Sequence, residues 1–187
     1  MPQRTLTTDR LTLVPLTDDH LEYEVELDSD PEVMRYLDPG RPRSRSEVTE
    51  LHHGRLAVAD RVPGLGFWAG FTDGGFVGWW ILEPPERPDQ GPVRGQAELG
   101  YRLLRRHWRR GLAGEGARRL LQHGFADLGL DRIFAETMAV NTASRATMKS
   151  VGLTYVRTFH QDWEHPLPGT EHGEVEYAIT REQWLGR

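Results

Sequence analysis

From Ala113 to Leu128 the apolar residues Ala113, Ala117, Leu120, Leu121, Phe125 and Leu128 fall on one face of a helix. A helix with a single apolar stripe is stable only when that stripe lies on a second layer. The flanking runs say what that layer is. QAELGYRLL (Gln96 to Leu104) before it and RIFAETMAV (Arg132 to Val140) after it read as strands. So do DRLTLVPLT (Asp9 to Thr17), GFWAGFT, FVGWWIL, LTYVRTF and EVEYAIT, with Asp73-Gly74-Gly75 as a hairpin turn. Shorter helices are expected at DDHLEYEVELDSD, with Leu21 and Val25 on one face, and after the Asp30-Pro31-Glu32 start signal. Another is expected from Ser44 to Asp60, with Val48, Leu51, Leu56 and Val58 as its apolar positions. A last one lies between an Asn141 cap and a Gly152 stop. PPERPDQGPVRG (Pro84 to Gly95) is the clearest loop. This order predicts a mixed α/β (α+β) sandwich, a central sheet with helices packed on it.

The chain has 187 residues, which fits one domain spanning 1–187. No segment reads as a signal peptide or a membrane span. The absence of cysteine excludes disulfides, thiolate metal sites and a cysteine nucleophile, and fits a cytoplasmic location. A formal net charge of -5 argues against a nucleic-acid partner. Lys149 is the only lysine, so arginine is abundant by coding preference and only its placement informs.

One placement stands out. YRLLRRHWRRGLAGEG joins the end of a strand to the start of the long helix, with arginines at 102, 105, 106, 109 and 110 and no acid from 102 to 110. A helix N-terminus offers unpaired N–H groups and the positive end of the macrodipole, and glycine lets an anion approach the backbone. Gly116, inside the helix, costs roughly 1 kcal/mol against alanine, which fits a close approach by something. The run has no GK[ST] ending and is not GxGxxG. The residues alone leave a pyrophosphate cradle and a flexible basic turn equally open.

From Ala97 to Phe159 the chain resembles the core of the GCN5-related N-acetyltransferases, nearest to the branch that acetylates N-terminal amines of ribosomal proteins. TDRLTLVPLT and SDPEVMRYL resemble that branch as well. The resemblance implies that family's single-domain fold, a mixed, mostly antiparallel central sheet flanked by helices. It implies acetyl-CoA as co-substrate, without a metal. The acceptor is then a protein N-terminus or a cationic small-molecule amine, and a homodimer stays open. The family's pyrophosphate-wrapping segment aligns with Trp108 to Ala113, so Arg109, Arg110, Gly111, Leu112, Ala113 and Gly114 are the implied cofactor-binding residues. Trp108 departs from the family's usual first residue, which shifts the burden to backbone N–H groups. Leu103 aligns where a strand N–H meets the pantetheine arm or the thioester carbonyl.

Where many members carry a tyrosine that protonates the departing thiolate, this chain has Met148. Asn141 and Ser144 fit the branch's alternative pattern, with Ser144 as acid or thiol anchor and Asn141 as cofactor contact or helix cap. Glu98 is the candidate general base and Glu136 a lesser one. Between Arg157 and Arg181 the chain has no arginine or lysine but contains Asp162, Glu164, Glu171, Glu174 and Glu176. Glu164 and Glu171 are therefore expected to attract a cationic acceptor. His160, His165 and His172 lie among them in no standard metal spacing. A non-catalytic acyl-CoA-binding sensor of the same fold is the alternative.

Overall fold

The computed structural model describes residues 2–163 and 166–187. The two aromatic runs pair as their alternation predicts: β3 (Gly66–Thr72) and β4 (Gly75–Glu83) form an antiparallel hairpin. Phe71 faces Phe76 while Gly70 faces Gly78, so Val77 is the extra residue of a bulge. Around this hairpin β1 (Leu6–Thr7), β2 (Thr12–Pro15), β5 (Gln96–Leu103), β6 (Arg132–Met138), β7 (Thr154–Phe159) and β8 (Glu174–Thr180) complete an eight-stranded sheet. Its order is β1-β2-β3-β4-β5-β6-β8-β7. Every neighbouring pair is antiparallel except β5 and β6.

The long helix is α4 (Leu112–Gln122), continued by a π-helical turn over His123–Asp127. Leu112, Ala117, Leu120, Leu121 and Phe125 pack onto Trp68, Trp80, Leu99, Leu103, Ile133 and Tyr177, which defines the rear face of the sheet. α5 (Thr142–Ser150) adds Met148 to that core. Gly116 serves this packing and not a ligand: a Cβ there would stand 2.4 Å from the Trp80 ring, whose Nε1 donates to the Ala113 carbonyl at 3.1 Å. That corrects the reading of Gly116 as room for an anion.

The front face is covered over β2–β4 by α1 (Leu21–Asp28), α2 (Pro31–Met34) and α3 (Arg45–Arg61). Both longer helices bury charged residues that their apolar spacing does not predict, although Val48 and Val58 of α3 are buried as expected. α1 buries Glu24, Leu27 and Asp28, and α3 buries Val48, His52, Arg55 and Val58, while Leu51 is exposed. Their interface is ionic. Arg55 donates to Glu24 at 2.5 Å and to Asp28 at 3.2 Å, and His52 meets Glu24. Buried charges persist where each is paired and hydrogen-bonded, and a hydrophobic count is blind to them. A short α6 (Arg181–Leu185), capped by Thr180, closes the chain. No helix among the described residues is long and apolar enough to cross a membrane.

Candidate active site

The parallel pair is short. β5 and β6 are in register only at Gln96–Arg132, Ala97–Ile133 and Glu98–Phe134. Beyond Glu98, β5 stays with β4 while β6 stays with β8, so the sheet forks. The Leu104 N–H donates to the Val77 carbonyl at 2.9 Å, so by strand alternation the N–H and C=O of Leu103 point away from β4 into the fork. That is where the aligned oxyanion donor was expected. The Leu103 carbonyl accepts from the Trp108 indole at 2.8 Å, which gives the departing Trp108 its job of pinning the loop to the strand end. Gly78 lies opposite Leu103, and a Cβ there would sit 2.2 Å from the Arg102 carbonyl oxygen. The close approach of the two strands depends on its absence.

After a 3-10 turn at Arg105–His107, Arg109 and Gly111 take left-handed backbone with φ of 58° and 76°. Gly111 is the N-cap of α4, and the first helical bond runs from Glu115 N–H to its carbonyl at 3.0 Å. The six N–H groups from Arg109 to Gly114 therefore find no acceptor among the described residues. Six unpaired donors around a helix start fit an oxyanion-rich ligand such as a pyrophosphate. The acid in the first turn, Glu115, is neutralised by Arg10 and Thr8, and Arg10 also donates to the Arg110 carbonyl at 3.0 Å. The basic run divides. Arg102 pairs with buried Asp28 and lies 4.8 Å from the Trp79 ring, and Arg106 pairs with Glu26 at 2.5 Å. Arg105, Arg109 and Arg110 are exposed and have no ion-pair partner among the described residues. The αL arginine and the capping glycine give the loop its shape; of the five charges, Arg102 belongs to the interior and Arg106 to a surface ion pair.

On the rear side of the fork, Asn141 caps α5 by accepting from Ser144 N–H at 3.2 Å, and its amide donates to Thr137 at 3.1 Å. The capping role left open for Asn141 is the one its side chain fills here. Half-buried Ser144 places its hydroxyl 3.3 Å from the Tyr101 hydroxyl, which also donates to the Ser144 carbonyl at 3.2 Å. Burial pushes the Tyr101 phenol up to about 12, so it acts as a neutral donor. Met148 is buried in the core. Tyr101 is a site residue that the sequence reading missed. Its only signal was strand alternation, which puts it on the rear face with Leu99 and Leu103.

The front face of the fork is acidic. Glu98 stands at the last rung, directly across from Glu83 on β4. Gln90, from the Pro84–Gly95 loop, donates to Glu98 at 2.9 Å and to Glu136 at 3.2 Å. Arg87 donates to Glu136 at 2.7 Å, and Arg157 bridges Glu176 at 2.6 Å and Asp89 at 2.7 Å. Burial, then Glu136 and Glu83, push Glu98 up to about 8. Burial, with Glu86 for Glu83 and Glu136 for Glu174, pushes each of those two to about 7. Glu136 is raised too, chiefly by burial. Five residues of strand separate Glu98 from Leu103, roughly 16 Å at the usual rise. A proton taken by Glu98 from an amine near Leu103 therefore travels through water.

Of the two acids expected to face an acceptor, Glu164 lies outside the described residues. Glu171 is 69% exposed and accepts from Gly169 N–H at 2.9 Å, so it shapes its own turn on the surface. The acids of that stretch that enter the sheet face are Glu174 and Glu176, at 4% and 3% exposure. His165 is outside the described residues as well. Among the described residues, no three His, Asp or Glu gather as metal ligands.

The known acetyltransferase (GNAT) domain matches residues 10–154 of this chain. The FsC-acetyl coenzyme A-N(2)-transacetylase of Aspergillus fumigatus is 46% identical over 185 residues, covering 98% of this chain and 79% of its own. Among solved structures, the ribosomal L7/L12 alpha-N-protein acetyltransferase RimL in complex with coenzyme A superposes with a TM-score of 0.78 at 17% identity, over 96% of this chain and 99% of that one. The spermidine N-acetyltransferase from Vibrio cholerae, in complex with CoA and spermine, gives 0.76 at 17%, over 95% and 99%. These two share its fold. A forked, mostly antiparallel sheet with free N–H groups at a helix start fits an oxyanion-rich ligand, and the comparisons give the class. The chain belongs to the GNAT family and is an acetyl-CoA-dependent N-acetyltransferase, not a non-catalytic sensor.

Proposed function

We propose that this enzyme acetylates a primary amine of a small molecule in the cytoplasm. The observation that carries the small-molecule reading is the 46% identity, along 98% of the chain, to a relative whose name specifies transfer to N(2) of FsC. The six free N–H groups from Arg109 to Gly114, with Arg109 and Arg110 beside them, hold the CoA pyrophosphate. Leu103 N–H receives the thioester carbonyl and stabilises its oxygen as negative charge develops. Acetyl-CoA supplies the acetyl group as a thioester: a C–N bond forms to the amine, the C–S bond breaks, and the thiol leaves. Glu98, once ionised, takes the proton that the ammonium must shed before attack, through water. Ser144 gives a hydrogen bond or proton toward the leaving sulfur, oriented by Tyr101. Asn141 fixes the turn that presents Ser144.

A thiol-release assay with acetyl-CoA and two acceptor sets tests this reading. Small primary amines should release CoA, while peptides with free N-termini should react much more slowly. Faster turnover of the peptides would overturn the small-molecule assignment in favour of a protein N-terminus.

A further inference from the structure

We propose that Glu136 and Glu174 bind a second ammonium group of the acceptor, so that the substrate is a diamine or longer polycation attached to the reacting nitrogen's own chain. The inference rests on the acetyl-transfer reading above and adds where the rest of the acceptor lies.

Register gives the placement. Glu98 faces Phe134 at the last rung of the fork, Glu136 lies two residues further along β6, and Glu174 is paired with Met138, four residues further. The same advance along β5 from Glu98 reaches Arg102, next to Leu103. Alternation sets all three acids on the front face, opposite the rear-face residues Ile133, Val175 and Tyr177. The two carboxylates thus stand beside the open arm of the fork, Glu136 level with Gly100 and Glu174 level with Arg102, next to where the thioester carbonyl meets β5. They lie on the first and second strands across the fork from β5.

What points to a ligand is the state of their oxygens. The Glu136 side chain is 6% exposed and Glu174 is 4% exposed, yet Oε1 of each has no hydrogen-bond partner among the described residues. Buried carboxylate oxygens left without donors are costly. The cations nearby are committed: Arg87 is spent on Glu136 Oε2 and Asp89, and Arg157 on Glu176 and Asp89, its nearest approach to Glu136 Oε1 being 3.9 Å. A primary ammonium carries three donors and one positive charge, which matches two acceptors short of donors and a cluster short of cations. A hydroxyl at the same place offers one donor and no charge.

The test compares 1,8-diaminooctane with 8-aminooctan-1-ol, which differ only at the far end, in a thiol-release assay and by calorimetry without acetyl-CoA. The wild type should show at least a tenfold lower KM for the diamine. Glu174→Gln should erase that preference and leave the amino alcohol unchanged. Glu174→Asp, which keeps the charge, should restore part of it, and melting curves confirm that both variants fold. Equal KM values in the wild type, or a preference that survives Glu174→Gln and Glu136→Gln, would overturn the second site while leaving acetyl transfer standing. Absence of CoA release with either amine would instead count against the small-molecule reading, and calorimetric preference for the diamine would still decide the site.

Discussion

Ser144 and Tyr101 meet across the fork, the tyrosine hydroxyl touching both the hydroxyl and the carbonyl of the serine. In the proposed mechanism the serine meets the sulfur and the tyrosine holds it in orientation. Ser144→Ala should therefore lower kcat by on the order of a hundredfold, in the range of general-acid contributions, with the KM for acetyl-CoA little changed. Tyr101→Phe removes a single oxygen from a buried ring. Its cost should be smaller, on the order of tenfold in kcat, while the ring's packing preserves the fold. Steady-state kinetics with a saturating amine check both, and a Tyr101→Phe enzyme as fast as wild type would leave Ser144 oriented by the Asn141 cap alone. Asn141 and Ser144 were legible through the family's Asn-x-x-Ser pattern, and Glu98 through its place on the strand that leads to the fork. Tyr101 was not, since a tyrosine in an alternating strand looks like core until the strand's neighbour on the far side of the fork is known.

At the scale of the element, the start of α4 separates two glycines that look alike in sequence. Gly111 sits at φ 76° among the free N–H groups, while Gly116 lies against Trp80. Gly111→Asp adds strain, bulk and charge where the pyrophosphate is held, and calorimetry should show acetyl-CoA affinity reduced at least tenfold in a folded protein. Gly116→Ala should do the reverse, costing about 1–3 kcal/mol of stability by overpacking and leaving affinity near normal. If both variants lose affinity equally, the cradle extends further into the helix than its free donors do. Helices α1 and α3 show why periodicity failed elsewhere. Their contact is built from Glu24, Asp28, His52 and Arg55, residues that a hydrophobic pattern assigns to solvent. The bounds of β3 and β4 came out closely because the aromatic runs and the Asp73-Gly74 turn speak the same local code, whereas the strand expected from Asp9 to Thr17 is only Thr12–Pro15 and β1 was not foreseen.

For the whole molecule, the acids on the front of the fork tie stability to pH. Glu83, Glu98 and Glu174 hold protons in the folded protein up to about 7, 8 and 7, and the unfolded chain releases them near the ordinary carboxyl value of about 4.5. The folded state then binds more protons than the unfolded state, so stability falls as pH rises through this window. His20 and His107 have lowered pKa values and act in the opposite sense, but only below their ordinary 6.5. The clean interval is therefore about pH 7 to 8.5, where the melting temperature should drop; Glu98→Gln should flatten the drop, and a melting temperature that climbs there would refute the assignment. The kinetic counterpart runs the other way, since Glu98 accepts protons only once ionised, and kcat/KM should rise toward pH 8. The global plan was legible from element order and family likeness. The three-rung fork was not, because where two strands part depends on registers no local run encodes.

The cradle at α4 is made of main-chain N–H groups, which every residue but proline possesses. The donors themselves therefore survive changes in the exposed side chains around them, provided Gly111 keeps its turn and Leu112 its place in the core. The front of the fork has no such tolerance under the proposed second site, where its carboxylates do the recognising. Descendants of such an enzyme inherit the donor half almost for free and diversify by exchanging a few acids on β6 and β8. One lineage can thus reach new amines without relearning how to hold its acetyl donor.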